Sequence, residues 1–222
     1  RVHNNPADSP VMLNLYDLAA KHGVPVTIHL EFEYSDELER ALEHNRKAII
    51  VWAHCGDADP PLIRRMMSKH PNLFADLSAS LNPYSRGPAA PPQKKLPTNA
   101  NGSIKPEWKQ LFEDYSDRLM FGVDMGISRE RYEMTVKVTN YYRSFLSQLS
   151  PQAAENIAYK TMLRILPATR ATTTTTTKTT AALQVTTTTA ASTEPVSLVV
   201  LAIALAAAAI AALFLRNRKK NA

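Results

Sequence analysis

Short apolar stretches alternate with amphipathic stretches over residues 1–167. The apolar stretches predict short buried strands. They are VPVTIHLE, KAIIVWAHCG, NLFADLSAS and RLMFGVDMG. Between them, apolar residues recur at helical spacing, as in SPVMLNLYDLAAKHG and SDELERALEHNR. Strands that alternate with helices predict an α/β fold with a parallel sheet and right-handed crossovers.

Capping residues mark where several helices begin and end. Ser9 is a candidate N-cap, Pro10 suits the first helical turn, and Gly23 favours the end of that helix. Ser150 and Pro151 predict the start of a closing helix over SPQAAENIAYKTMLRIL. We therefore expect residues 1–167 to form the globular domain.

The remainder of the chain has a different composition. Threonine dominates residues 168–195, which predicts a disordered, extended stalk. Residues 196–215 are uncharged and almost wholly apolar, and at about 1.5 Å per residue they can cross a bilayer as one helix. The basic tail, residues 216–222, favours a cytoplasmic C-terminus and an extracytoplasmic domain. This pattern predicts a single-pass membrane anchor, with a cleaved sorting signal as the alternative.

The net charge of +6 does not indicate a nucleic-acid partner. Much of it is local, because the short tail alone contains Arg216, Arg218, Lys219 and Lys220. The single cysteine, Cys55, excludes an internal disulfide and a zinc–thiolate cluster.

Three residues with metal-binding side chains follow predicted strands. His29 is the fourth residue of VTIHLE and directly follows its apolar part. His54 follows the apolar stretch AIIVWA, and Asp124 follows MFGV. The carboxyl ends of parallel strands meet on one side of the sheet, so we expect these side chains to converge. Two imidazoles and a carboxylate can hold a divalent metal that activates a water. One such residue alone is more often structural, but three at equivalent positions indicate a metal site.

The same stretches resemble the amidohydrolase superfamily of metal-dependent hydrolases, in the branch related to aminocarboxymuconate semialdehyde decarboxylase. The pieces that carry the resemblance are VTIHLE, VWAHCG, NLFADLSAS, RLMFGVDMG and AAENIAYKTMLRIL. The resemblance implies a (β/α)8 TIM barrel, of which this chain supplies the C-terminal half, strands five to eight and the terminal helix.

The resemblance also implies a role for each residue at a strand end. His29 would be the metal ligand of strand five. His54 would bind a second metal or act as an acid/base, and Asp124 would contact the metal and take a proton from the bound water. The implied cofactor is a divalent metal, first of all Zn²⁺, with Mn²⁺ or Fe²⁺ as alternatives. The implied partner is a small-molecule substrate.

The sequence departs from the family pattern at the start of the barrel. The family's first strand carries a His-x-His pair, which this sequence lacks, and His3 stands alone. Four strands cannot close an eight-stranded barrel, so both sheet edges are expected to be exposed. We favour a C-terminal part of a longer protein, with pairing to another chain, such as a homo-oligomer, as the alternative. This chain alone is not expected to be fully active.

Other residues keep open alternatives. Cys55 is either packing or a soft ligand, and packing is favoured. Asp76 and Ser78 share one face of their strand, where Ser78 contacts either substrate or a neighbouring loop. Glu31 either orients His29 or begins a helix. His70 lies at the end of a helical pattern and is expected to be solvated.

A long Pro- and Asn-rich stretch, residues 81–104, separates the third strand from the next helix. It is either a substrate lid or a surface insertion. Arg86 and Arg129 lie in the loops on the carboxyl side and are weaker candidates for binding a carboxylate substrate.

The expected function is hydrolysis of an ester, lactone or amide bond by metal-activated water, with Asp124 and His54 as the catalytic residues. The first alternative is non-oxidative decarboxylation of an unsaturated acid on the same metal site. The second is a non-catalytic, membrane-anchored surface domain.

Overall fold

A computed structural model describes residues 5–84, 96–124 and 129–167, and of residues 80 and 129–132 it describes the backbone alone. The chain divides into two units between Pro167 and Ala168, and every described residue belongs to the first. The predicted stalk and the predicted membrane helix, residues 196–215, lie outside the described residues. None of the helices in the described ranges combines the length and apolarity that crossing a membrane requires.

Helices and strands alternate along this unit, as the hydrophobic pattern predicts. In chain order the elements are α1 (Pro10–His22), β1 (Val26–Ile28), α2 (Ser35–His44), β2 (Ile50–Trp52), α3 (Pro60–Lys69), β3 (Leu73–Asp76), α4 (Pro106–Tyr115), β4 (Leu119–Met120), α5 (Arg129–Leu146), α6 (Pro151–Glu155), a π-helical segment (Asn156–Lys160) and α7 (Thr161–Ile165).

The described strands form one parallel sheet in the order β1-β2-β3-β4. Trp52 on β2 pairs with Ile28 on β1 and with Ala75 on β3, and Asp76 on β3 pairs with Met120 on β4. Consecutive strands are therefore neighbours in space, and their carboxyl ends lie side by side. The predicted α/β fold with a parallel sheet is confirmed.

The ends of α1 show how the predicted capping residues act. Gly23 has φ +64°, and its N–H donates to carbonyls of the last helical turn, at Ala19 and Ala20. A left-handed residue at this position is a common way to end a helix, and glycine adopts it without a Cβ penalty. Ser9 occupies the N-cap position with extended backbone, but its hydroxyl has no hydrogen-bond partner among the described residues.

Each face of the sheet packs against helices, because alternate strand residues point to opposite faces. Ile50, Trp52, Leu73 and Leu119 belong to the main core with residues of the helices that connect the strands, among them Leu38, Ile63 and Leu111. Val51, Phe74 and Met120 form a second cluster with Ile165 of α7. The closing helical segment thus covers the face that the connecting helices leave open.

The π-helical segment explains how that closing part is attached to β4. The carbonyl of Met120 accepts the N–H of Leu77, the residue after β3, so the N–H of the next residue, Phe121, points away from β3. That N–H donates to the carbonyl of Ile157 at 2.7 Å. In a π-helical segment the backbone hydrogen bonds join residues that are five positions apart instead of four. The closing segment therefore pairs with one backbone group directly after β4, on the side away from β3.

Candidate metal-dependent active site

Four polar residues lie at the carboxyl ends of the four strands. His29 directly follows β1, His54 lies two residues after β2, Asp76 is the last residue of β3, and Asp124 lies four residues after β4. Because the strands are parallel and adjacent, these residues share one edge of the sheet. The topology therefore gathers the residues that the sequence pattern singled out, and it adds Asp76.

The backbone is strained at this edge. After β2, His54, Cys55 and Asp57 have φ values of +58°, +51° and +57°, and after β3 and β4, Ala79 and Asp124 have +47° and +45°. Left-handed conformations are unfavourable for residues with a Cβ, and such residues cluster at functional sites. All the non-glycine residues with positive φ in the described ranges lie beyond the carboxyl ends of the strands, which marks this edge as the functional one.

Gly56 makes the tight turn after β2 sterically feasible. It has φ +62°, and a Cβ at this position would lie 2.0 Å from the indole of Trp52. That indole is fully buried and donates its Nε1–H to the carbonyl of Leu30 at 2.6 Å. The turn that presents His54 is thus packed directly on a side chain that ties β2 to the residues after β1.

The carboxylate of Asp76 organises the residues around it. Its Oδ1 accepts the backbone N–H of His54 at 3.2 Å and the backbone N–H of Ser78 at 2.9 Å. It also accepts the hydroxyl of Ser78. Three donors to one largely buried carboxylate hold it in a single orientation.

The Ser78 hydroxyl also determines which nitrogen of His54 carries a proton. Ser78 Oγ lies 2.7 Å from His54 Nδ1, and its single hydrogen is directed to Asp76. The oxygen therefore accepts from Nδ1–H, and in the neutral imidazole the lone pair is on Nε2. His54 Nε2 lies 3.8 Å from Asp124 Oδ2. Two acceptors that face each other are stabilised by a positive species between them, either a proton on Nε2 or a metal ion.

The pKa values of this pair follow from burial and from the neighbouring charges. Burial lowers the pKa of His54, but the hydrogen bond and charge of Asp76, with the charges of Asp124 and Asp57, outweigh burial and raise that pKa above its ordinary value. Burial raises the pKa of Asp76, but hydrogen bonds from His54 and Ser78 outweigh it and lower that pKa. The two groups therefore stabilise each other's charged forms.

His29 and Asp124 form the open side of the site. The ring of His29 packs edge-to-face against the ring of His54, with 5.1 Å between centroids, and its Nε2 lies 3.6 Å from Glu31 Oε1. The side chains of His29 and Asp124 are 55% and 56% exposed, whereas that of His54 is 12% exposed. A small molecule can therefore approach His54 from the side of His29 and Asp124.

The donor types fit a divalent metal, because imidazole nitrogen and carboxylate oxygen are the usual non-thiolate zinc ligands. The ligand atoms of His29, His54 and Asp124 do not all lie within 4.8 Å of one another. Among the described residues, the group whose ligand atoms do so is Glu39, Glu43 and His70. Among the three predicted ligands, His54 and Asp124 bring a ring nitrogen and a carboxylate oxygen to 3.8 Å from each other.

The structure decides several of the open alternatives. Cys55 is fully buried, its Sγ–H donates to the carbonyl of Asp76 at 3.4 Å, and burial raises its pKa well above the ordinary value, so it is packing. Ser78 contacts His54 and Asp76. Glu31 lies 3.6 Å from His29 Nε2 and is also the N-cap of the short helical turn Phe32–Tyr34, so both of its alternatives stay open. The expectation that His70 is solvated is wrong, because it is 1% exposed.

The predicted loop residues are described in part. Residues 85–95, which include Arg86, lie outside the described residues, as does the side chain of Arg129. The described end of this loop contains a bridge between Thr98 and Ile104, and the Thr98 hydroxyl lies 3.0 Å from the Tyr141 hydroxyl. The choice between lid and surface insertion stays open.

A family model for amidohydrolases matches residues 2–168 of the sequence. The chain belongs to the amidohydrolase family. This membership agrees with the arrangement of the site, in which histidines and an aspartate follow parallel strands. A comparison with curated proteins found no match.

Several solved structures have a fold similar to that of this amidohydrolase. An uncharacterised TIM-barrel protein from Bordetella bronchiseptica aligns over 72% of this chain with 19% identity and a TM-score of 0.54. An amidohydrolase from Bifidobacterium longum subsp. infantis aligns over 71% with 10% identity and a TM-score of 0.47. An amidohydrolase from Burkholderia multivorans, crystallised with bound zinc, aligns over 72% with 14% identity and a TM-score of 0.47.

The chain spans about half the length of these structures, namely 52%, 55% and 59% of them in the same order. At these identities the similarity concerns the fold alone, and the Bordetella protein carries it. The α/β fold of this amidohydrolase therefore corresponds to part of a TIM barrel.

Proposed function

We propose that this amidohydrolase is a metal-dependent hydrolase of ester, lactone or amide bonds and that it contributes strands five to eight of the barrel. Family membership supports a hydrolase or lyase activity. The observation that carries the proposal is the 3.8 Å approach of His54 Nε2 to Asp124 Oδ2, at a strained edge of the sheet.

A divalent metal is the implied cofactor, and zinc is the first choice for this donor set. His29, His54 and Asp124 are the residues of this chain that would hold it. When bound, it would polarise the carbonyl of the substrate and lower the pKa of a water.

The side chains of this chain then have separate tasks. Asp124 is exposed enough to meet a water and accepts its proton as the general base. His54, with Nδ1–H directed to Ser78, has Nε2 free for one of two tasks. Nε2 would either bind the metal or, when protonated instead, stabilise developing negative charge. Asp76 and Ser78 are positioning residues, because they act through His54.

The position of the protein in the cell is part of the same proposal. The apolar residues 196–215 anchor the chain in a membrane, and the basic residues 216–222 stay in the cytoplasm. The catalytic domain then faces small-molecule substrates outside the cytoplasm. Localisation of a tagged chain, with protease protection of each end, tests this part separately.

The activity is tested on a protein that contains this chain together with the remaining strands of the barrel, after removal of metals and reloading with Zn²⁺ or Mn²⁺. The substrates are a nitrophenyl ester, an aromatic lactone and a nitroanilide, and the variant is Asp124→Asn. Asp117→Asn is the matched control, because it makes the same change at an exposed position outside the site. The proposal expects metal-dependent turnover that Asp124→Asn lowers at least about a hundredfold and that the control leaves unchanged.

The other outcomes separate the alternatives. Release of carbon dioxide from an unsaturated acid, dependent on metal and on Asp124, together with no hydrolysis, identifies the decarboxylase alternative. Turnover that Asp124→Asn leaves unchanged contradicts the assignment of this residue. Absence of both activities in the metal-loaded complete barrel supports the non-catalytic alternative.

A further inference from the structure

A second group of metal-ligand side chains lies at the other end of the sheet. Glu39 and Glu43 are one turn apart on α2, which leads to the amino end of β2. His70 directly follows α3 and precedes β3. These residues therefore lie near the amino ends of the strands, whereas His54 and Asp124 follow the carboxyl ends.

The ligand atoms of this group lie close together. A ring nitrogen of His70 and one carboxylate oxygen from each of Glu39 and Glu43 all lie within 4.8 Å of one another. Three protein ligands of nitrogen and oxygen type, with a position left for water, are a familiar zinc arrangement.

His70 gives an independent reason to expect a ligand. The residue is 1% exposed, and its Nε2 is buried without a hydrogen-bond partner among the described residues. Buried polar atoms are nearly always satisfied, so an unsatisfied ring nitrogen calls for a partner. Because one ring nitrogen of His70 lies within 4.8 Å of both carboxylates, a cation between them lies within reach of this imidazole.

The two carboxylates already converge on a cation. Lys69 Nζ lies 2.7 Å from Glu39 Oε2 and 3.1 Å from Glu43 Oε1. Arg65 also reaches Glu39 Oε1, at 2.9 Å. The Lys69 side chain is 50% exposed, so its ammonium can move into solvent while the carboxylates stay in place.

We propose that Glu39, Glu43 and His70 form a second divalent-cation site of zinc type, in which the ion replaces the Lys69 ammonium between the two carboxylates. The ion links α2 to the segment between α3 and β3. Because the unfolded chain does not hold these ligands together, binding stabilises the folded domain. The site is structural and does not depend on the hydrolase proposal.

The test uses calorimetric titration of the full chain with ZnCl₂ in an His29→Ala, Asp124→Asn background. Both of these side chains are more than half exposed, so the double change leaves the fold intact while it removes two of the three ligands at the strand-end site. The proposal expects about one equivalent of zinc to bind in this background.

Two further variants in this background move the affinity in opposite directions. Removing an outer partner of a metal ligand typically costs 10–100-fold in affinity, so removing the ligand Glu43 by Glu43→Gln is expected to cost at least about tenfold. Lys69→Met removes the competing ammonium and is expected to raise the affinity about tenfold. Glu107→Gln, an exposed change on α4, is the matched control and is expected to have no effect.

The outcomes of this titration either establish or overturn the second metal site. One equivalent of zinc, weakened by Glu43→Gln and strengthened by Lys69→Met, establishes the site even if the chain proves inactive as a hydrolase. No binding in the double-variant background up to millimolar zinc overturns it and leaves an ion-pair network of Lys69, Arg65 and the two glutamates. Binding that neither Glu43→Gln nor Lys69→Met changes also overturns it.

Discussion

The Asp76 carboxylate holds His54 through both its backbone and its side chain. Asp76 Oδ1 accepts the His54 N–H at 3.2 Å and lies 3.6 Å from His54 Nδ1, where Ser78 Oγ is the hydrogen-bonded neighbour at 2.7 Å. The two residues are 22 positions apart, because His54 lies in the turn after β2 and Asp76 ends β3. This contact therefore sets both the path of the turn after β2 and the orientation of the imidazole.

Replacement of Asp76 by Asn tests that relationship. The variant keeps an acceptor oxygen but loses the charge that raises the pKa of His54, and we expect a loss of about 1–3 kcal/mol in the free energy of unfolding. Urea unfolding at neutral pH measures this loss. Asp117→Asn makes the same change at an exposed residue and is expected to cost less than about 0.5 kcal/mol. Equal stability of the two variants would contradict the organising role of Asp76.

The turn that carries His54 depends on glycine at position 56. Gly56→Ala introduces a Cβ 2.0 Å from the Trp52 indole and also places alanine at φ +62°. Gly23→Ala has the same backbone strain, at φ +64°, but nothing lies within 4 Å of its Cβ. We expect Gly23→Ala to cost about 1–2 kcal/mol and Gly56→Ala to cost several kcal/mol, because a displaced indole adds to the strain.

Thermal unfolding of the two glycine variants, measured side by side, checks this difference. The Gly56→Ala variant is also expected to lose the ordered environment of Trp52, which its fluorescence reports. If the two variants unfold at the same temperature, the close approach of Gly56 to Trp52 does not contribute to the stability of the turn.

Tyr16 links stability to alkaline pH. Burial, with a contribution from the charge of Asp8, raises its pKa to about 12. The folded protein thus keeps this proton above pH 10, where the unfolded chain loses it, so stability falls as pH rises from about 10 to 12. One such group changes the free energy of unfolding by up to about 1.4 kcal/mol per pH unit.

Tyr16→Phe is expected to make this alkaline loss less steep. The Tyr16 hydroxyl is buried without a hydrogen-bond partner among the described residues, so its removal is also expected to leave stability at pH 8 unchanged or raised by about 1 kcal/mol. Urea unfolding at pH 8 and between pH 10 and 12 measures both effects. Tyr159→Phe changes a partly exposed tyrosine and is the control. If stability falls between pH 10 and 12 at least as steeply in Tyr16→Phe as in this control, Tyr16 does not contribute to the alkaline loss.

Local features of the fold were predictable because their signals are local. Helix α1 begins at Pro10 and ends before Gly23, and the short apolar stretches form β1 to β4. Capping residues and buried stretches can be recognised in the sequence itself. The placement of His29, His54 and Asp124 at strand ends followed from those strands together with the family resemblance.

The remaining features depend on contacts between distant residues. The left-handed backbone at Cys55 and Ala79 could not be predicted, because these residue types have no local preference for positive φ. Asp76 had been placed only on a strand face, although its position at the strand end, in register with β2, was a usable signal for its contact with His54. The burial of His70 likewise depends on the packing of its surroundings and not on its own helix.

The most direct test of the central claim, that His54 and Asp124 form a metal-dependent site, is anomalous diffraction from crystals of the full chain grown with zinc. The account predicts an anomalous peak in contact with His54 Nε2 and Asp124, separate from any peak beside Glu39 and Glu43. Zinc density elsewhere in the domain, with none between His54 and Asp124, would contradict it.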